Sequence, residues 1–160
     1  MAYSKILRRQ RAEKTNYKKR GIMLMGKRDF ITVVITNENT QVQILTPNIT
    51  GDKVIASAHS HYLTSKGWKG SRKSIPASYL IGYLAGKKAI SKGAKSALMY
   101  SGTRRYTQRM AAALNGLVDA GLHVPANSET FPSKERIEGK FLTVKNDITS
   151  MKSTIDGDVK

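Results

Sequence analysis

The sequence predicts an α/β domain, a mixed β-sheet with helices packed on it, between a basic N-terminal arm and a polar C-terminal tail. Three observations lead there. Two runs rich in β-branched residues, Phe30 to Thr36 and Thr40 to Leu45, flank the polar turn "NENT". Further along, segments with apolar residues three and four apart alternate with short strand-like runs, the pattern of helices laid on a sheet. The length of 160 residues and the 39% hydrophobic content suit one domain of ~100–150 residues with appended tails. The expected division is 1–28 for the arm, 29–124 for the core, 125–145 for an extension with a short helix, and 146–160 for a disordered tail.

The elements follow in order. In the arm, Arg8, Arg11, Lys14 (or Thr15) and Lys18 recur at helical spacing, so a helix ordered by a partner is expected. After the hairpin, "DKVIASAHS" reads as a third strand of the same meander. The stretch "SIPASYLIGYLAGKKAISKGA" reads as a helix, with Ser74 placed to cap it and Pro76 in its first turn. Tyr79, Leu80, Tyr83, Leu84, Lys87 and Ile90 form one stripe of it. Gly82 and Gly86 each cost ~1 kcal/mol relative to alanine, so close packing, expected against the sheet, has to compensate. Gly93 ends the helix. "SALMYS" is a fourth strand. "SGTRRYTQRMAAALNGLVDAGL" turns into a second amphipathic helix, with Met110, Leu114, Leu117 and Val118 inward and Gly121 as terminator. Beyond Pro125 only "PSKER" carries a helix-start signal.

Charge is the outlier: 28 basic residues against 11 acidic give a net +17. That much like charge in a small domain is self-repulsive unless an anionic partner neutralises it. Its distribution sharpens the point. Residues 1–28 hold ten bases and one acid, Glu13, whereas residues 53–118 hold twelve bases and no acid. No apolar run reaches the ~18–20 residues of a membrane span, no secretory leader is expected, and with no cysteine there is neither a disulfide nor a thiolate metal site, which suits a cytoplasmic protein.

The acid-free middle also weighs against catalysis. Two-metal nucleic-acid hydrolysis needs clustered carboxylates, and a Ser–His–Asp arrangement needs an acid behind its histidine. His59 and His61, two apart in a strand, would share a face. A zinc site wants three or four ligands, however, and only His123 and Asp52 are at hand, so polar side chains at a strand end are the better reading. Neither metal nor cofactor is expected.

Phosphate binding fits instead. In "SKGWKGSRKS", Lys66, Lys69, Arg72 and Lys73 supply charge, Ser71 a hydroxyl, and Gly67 and Gly70 let backbone approach a sugar–phosphate chain. Trp68 offers a face for a base or ribose, or alternatively a core indole. "YSGTRRYTQR" places Thr103, Arg104, Arg105 and Arg109 at a strand-to-helix junction, where unsatisfied N–H groups favour an anion. Lys27 and Arg28 close the arm. Three basic elements spread over a hundred residues, with no groove-reading motif, favour structured RNA read through shape and phosphates.

The segments "RRQRAEKTNYKKR", "ASAHSHYLTSKGWKGSRKSIPASYLIGYLAGKKAISKG" and "AALNGLVDAGLHVPANSETFPSKERIEGKF" resemble the archaeal type of universal large-subunit ribosomal protein eighteen, whose eukaryotic counterpart is large-subunit protein five. The resemblance covers roughly Tyr3 to Phe141. It implies a three-layer α/β fold of ribonuclease H-like topology without the acidic site. It also implies a non-enzymatic protein that binds 5S rRNA, attaches it to the large subunit at the central protuberance, and contacts 23S rRNA and neighbouring ribosomal proteins in the cytoplasm. The family's RNA-reaching arm matches at Arg8, Arg9, Arg11, Lys14, Thr15, Tyr17, Lys18, Lys19 and Arg20, its "HS" at His59 and Ser60, and its loop from Gly67 to Ser71. The segment "YSGTRRYTQRM" departs from relatives in its extra arginine. A general nucleic-acid chaperone or DNA-compacting protein is the alternative, and an RNA-processing enzyme the second rival. No membrane and no small-molecule substrate is expected.

Overall fold

The computed structural model describes residues 6–48, 51–144 and 146–159. Strands β1 (Asp29–Ile35), β2 (Thr40–Thr46) and β3 (Lys53–His59) form an antiparallel meander, and β4 (Ala97–Met99) runs parallel to β1, giving the order β3-β2-β1-β4. The expected "NENT" turn is closed by Thr36, whose N–H donates to the Asn39 carbonyl at 2.8 Å while its hydroxyl accepts from the Asn39 N–H at 3.0 Å. The period of two then sorts the side chains. Ile31, Val33, Val42, Ile44, Ala56 and Ala58 are buried on one face, and beyond Ala56 an irregularity at Ile44/Leu45 shifts β3 out of that phase, pairing Val54 with Leu45 and leaving it exposed.

That face is covered by α4 (Ile75–Ser91) and α5 (Gln108–Asp119). Ser74 caps α4 by accepting from the Ala77 N–H, and Thr107 caps α5 by accepting from the Met110 N–H. Leu80, Ile81 and Leu84 are fully buried, each contributing ~1.5–3 kcal/mol. The glycines of α4 are compensated by helix-to-helix contact, not by the sheet. A Cβ on Gly82 would stand 2.0 Å from the Ala113 carbonyl oxygen, and one on Gly116 of α5 would stand 2.1 Å from that of Tyr79. Ile90 and Val118, both expected inward, are exposed at the flanks of this pair.

A short helix α3 (His61–Ser65) follows β3 directly. Where β3, β2 and α4 meet, three buried polar residues satisfy one another. Ser60 Oγ accepts from the Thr40 N–H and lies 3.1 Å from Asn39 Oδ1, and Thr40 Oγ1 lies 3.2 Å from Ser78 Oγ. At the outer edge of the sheet, Lys92 from the end of α4 donates to the Ile55 carbonyl at 2.7 Å.

The expected disordered tail is instead largely helical. Helix α7 (Ile148–Asp158) is capped by Asp147 and buries Ile155 completely, lying on the side of α4 turned from the sheet, with α6 (Lys134–Glu138) nearby. Its polarity misled because its anchors are themselves polar. Asp156 accepts from the Tyr83 hydroxyl at 2.9 Å and pairs with Lys87 at 3.0 Å, while Asp158 accepts from Tyr62 and pairs with Lys66 at 2.6 Å. Lys152 lies 4.8 Å from the Tyr79 ring centre. The other face of the sheet carries Thr32, Val34, Gln41, Gln43, Ser57 and His59, half-buried or exposed. The long helices layer on one side only, and where three layers were expected the short helices of the N-terminal arm cover just one end of the other face.

Candidate nucleic-acid interface

The arm folds into two short helices, α1 (Arg8–Arg11) and α2 (Tyr17–Met25), where helical spacing through Lys18 had predicted one. The break is Glu13, at φ +52°, in the left-handed region that favours glycine. Around it the Glu13 N–H bonds the Gln10 carbonyl at 3.0 Å and the Lys14 N–H bonds the Arg9 carbonyl at 2.9 Å, closing α1 in two reciprocal turns. Arg9 Nε then donates to Thr15 Oγ1 at 2.9 Å, and Asn16 caps α2 by accepting from the Lys19 N–H at 2.9 Å.

The arm is fastened to the sheet by Arg20. Its guanidinium pairs with Asp52 and lies 5.7 Å from the Phe30 ring centre and 5.9 Å from that of Tyr100, two rings stacked 5.5 Å apart. The hydrogen bond to Asp52 raises the Arg20 pKa above its ordinary value, so the charge is permanent. Between arm and sheet opens a groove of about 1100 Å³. Arg9, Lys14, Thr15, Tyr17 and Arg20 line one side, Tyr100, Thr103 and Arg104 the other, with Thr32 and Leu45 on the floor. Two of the three basic elements, far apart in sequence, therefore share one cleft. Arg8, Arg11, Lys18, Lys19, Lys27 and Arg28 are exposed outside it, as are Arg105 and Arg109. At the start of α5 one of the N–H groups expected to draw an anion is already taken by Thr107.

The third element stands apart. β2 begins beside Ser60, at the loop end, and finishes at Thr46, whose hydroxyl donates to Asp29 at 2.8 Å on the arm side. Seven residues at ~3.3 Å each separate the two ends by about 20 Å. In the loop, Gly67 (φ +87°) and Gly70 (φ +112°) occupy conformations that glycine alone adopts readily. Lys69, Ser71 and Lys73 meet solvent, but Lys66 is engaged by Asp158 and Arg72 by Glu38 at 3.5 Å.

Two of the expected RNA contacts are buried. Trp68 is 7% exposed and packs into the core, the alternative that its sequence position left open, and its Nε1 is buried with no hydrogen-bond partner among the described residues. Ser60 is fully buried, its hydroxyl spent on the Thr40 and Asn39 contacts. His59 remains on the open face, where its Nδ1 accepts from the His61 N–H at 3.1 Å. The strand ends there and His61 starts α3, so the two imidazoles do not line one strand face. No group of three or more His, Cys, Asp or Glu side chains suited to a metal occurs among the described residues.

Asp52 and Tyr100 were not anticipated at the site. Their signal was present: Phe30 falls on the face opposite Ile31 and Val33 and needs its own cover, and Tyr100 directly follows β4.

Comparison with known proteins now decides the family. Residues 2–108 match the family described as ribosomal large subunit proteins 60S L5 and 50S L18. This chain belongs to that family. Large ribosomal subunit protein uL18 of Thermofilum pendens is 39% identical over 138 residues, covering 85% of this chain and 70% of the relative. The uL18 of Aeropyrum pernix is 42% identical over 134 residues (82% and 63%), and that of Methanothermobacter thermautotrophicus 37% over 142 residues (88% and 74%). The chain thus spans roughly two thirds to three quarters of these relatives' length. The L5/L18 family is one of structural ribosomal proteins, so this chain is a structural component of the large ribosomal subunit and not an enzyme. The matched region ends at Gln108, taking in the arm, the sheet, α4 and both basic loops.

Proposed function

We propose that this L5/L18-family chain binds 5S rRNA and attaches it to the large subunit at the central protuberance, touching 23S rRNA and neighbouring ribosomal proteins as well. One observation carries the reading: the arm and the Thr103–Arg104 loop converge on a single cationic groove, while a second cationic loop lies toward the opposite end of β2 across a polar sheet face. Two separated cationic regions suit a protein that joins two RNA segments. The phosphate-binding set is then Arg8, Arg9, Arg11, Lys14, Lys18 and Lys19 in the arm, with Arg20 anchoring it to the sheet, Arg104, Arg105 and Arg109 beside it, and Lys69 and Lys73 in the far loop. A ribonuclease H-like lineage for the fold belongs to the same proposal, supported by the antiparallel meander with β4 parallel to β1.

The test is a salt series on purified protein with 5S rRNA and with random duplex DNA. If ~6–10 phosphates are neutralised, affinity falls about 10³–10⁵-fold between 50 and 200 mM salt. 5S rRNA must also win at every salt concentration. Equal affinity for both ligands supports the general chaperone instead.

A further inference from the structure

The groove is not lined as a phosphate clamp would be. A surface evolved only against phosphate excludes carboxylates, which repel it, yet two line this cleft. Asp52 is neutralised by Arg20, but Glu13 forms no ion pair among the described residues. Glu13 is also the one acid in the first 28 residues, and it occupies a left-handed position that glycine would fill at lower cost. At about 1100 Å³ the cleft exceeds what contact with a backbone phosphate requires, and Tyr17 and Tyr100 give it aromatic walls.

We infer that the groove receives an unpaired base of the bound RNA, and that the Glu13 carboxylate accepts hydrogen bonds from the base's N–H edge while Lys14 and Arg104 hold the flanking phosphates. This rests on the RNA-binding reading and names what one part of that surface reads. An ionised carboxylate only accepts hydrogen bonds, so it selects bases with donors at their edge. Guanine fits best, because its N1–H and N2–H₂ lie side by side and meet both carboxylate oxygens. The exposed Tyr17 ring supplies the stacking face through which unpaired bases are usually held, and Tyr100, stacked on Phe30, borders the cleft with its edge of the pair.

The sign of one substitution separates this from the alternative. If Glu13 merely sits near RNA, removing its charge relieves repulsion and E13Q binds tighter. If it reads a base, E13Q binds 5S rRNA about tenfold more weakly with the salt slope unchanged, because no phosphate contact has been lost. E13G controls for folding: glycine suits φ +52°, so this variant should melt no lower than wild type and still bind weakly. Equal or tighter RNA binding by both variants overturns the inference. Independently, guanosine monophosphate should shift the NMR ring signals of Tyr17 and Tyr100 more than inosine monophosphate, which lacks the N2 amino group; an equal response to the two also overturns it. Failure of wild-type protein to prefer 5S rRNA would sink the broader reading instead, and the mononucleotide titration tells the two failures apart.

Discussion

Gly82→Ala tests how α4 and α5 are joined. In an ordinary helix the substitution stabilises by ~1 kcal/mol. Here the new methyl carbon would stand 2.0 Å from the Ala113 carbonyl oxygen, against the 3.4 Å at which ordinary contact begins. The obstacle is backbone, so no side chain can swing aside and the helices must part by more than about 1 Å. A gap of that size forfeits a quarter to a half of the dispersion attraction across the seam, which includes buried Tyr79, Ala113 and Leu117. Overpacking costs ~1–3 kcal/mol, occasionally more, and a backbone collision belongs at the upper end. Subtracting the propensity gain leaves a loss of about 2 kcal/mol, or ~4–8 °C in Tm for a domain of this length. Gly157→Ala in α7 is the matched control, with nothing within 4 Å of its added carbon, and should be neutral or stabilising by up to ~1 kcal/mol. Thermal unfolding followed by circular dichroism measures both. If Gly82→Ala melts at or above wild type, the close-approach reasoning is refuted.

Four further outcomes are expected. Asp156 is held below its ordinary pKa of 3.8 by the hydrogen bond from Lys87, so its contribution to α7 docking is present above that value and fades as pH falls below it; Asp156→Asn should flatten this acid limb in a pH series of Tyr83 fluorescence or hydrogen exchange. The Tyr62, Tyr79 and Tyr83 hydroxyls are pushed above their ordinary pKa of 10.0, by burial first and then by the carboxylates they donate to. Their contribution is complete below pH 10 and is lost as pH rises through the elevated values; Tyr62 and Tyr83 donate to Asp158 and Asp156 of α7 and Tyr79 to Asp119 of α5, so α7 and the end of α5 should both loosen in strong alkali. Trp68→Phe removes a buried, unpartnered N–H, so part of the lost packing is offset; stability should change by no more than ~1–2 kcal/mol and RNA affinity not at all, whereas a large affinity loss would restore Trp68 as a base contact. Deleting residues 1–16 should weaken RNA binding and leave the melting temperature unchanged, while deleting 1–20 should also lower it, because Arg20 covers Phe30.

The sheet and its two long helices were readable because their signals are local. Alternation in "FITVVIT", the Ser74 cap, and the stripe of α5 each act within a few residues. Helix α7 was not readable, since its anchors reach across more than seventy residues from Asp156 to Tyr83 and from Asp158 to Tyr62, and hydropathy does not register a tyrosine–aspartate hydrogen bond. The same limit applied at the interface. The basic residues announced themselves by charge, but that Arg104 faces the arm, that Trp68 faces inward, and that Lys66 is already engaged by an acid are properties of the assembled chain. Spacing in the arm suggested a continuous helix, and the left-handed turn at Glu13 broke it.

Lys92, clasping the Ile55 carbonyl, bears on how the sheet ends. β3 lies at the edge of the sheet and offers the flank along which a stray strand could add. The clasp occupies one acceptor of that flank with a cation, and Lys53 at the strand's start sets another charge in the way. Two copies approaching there meet like charge and a blocked acceptor, so the edge discourages the strand-to-strand pairing that an open sheet flank invites.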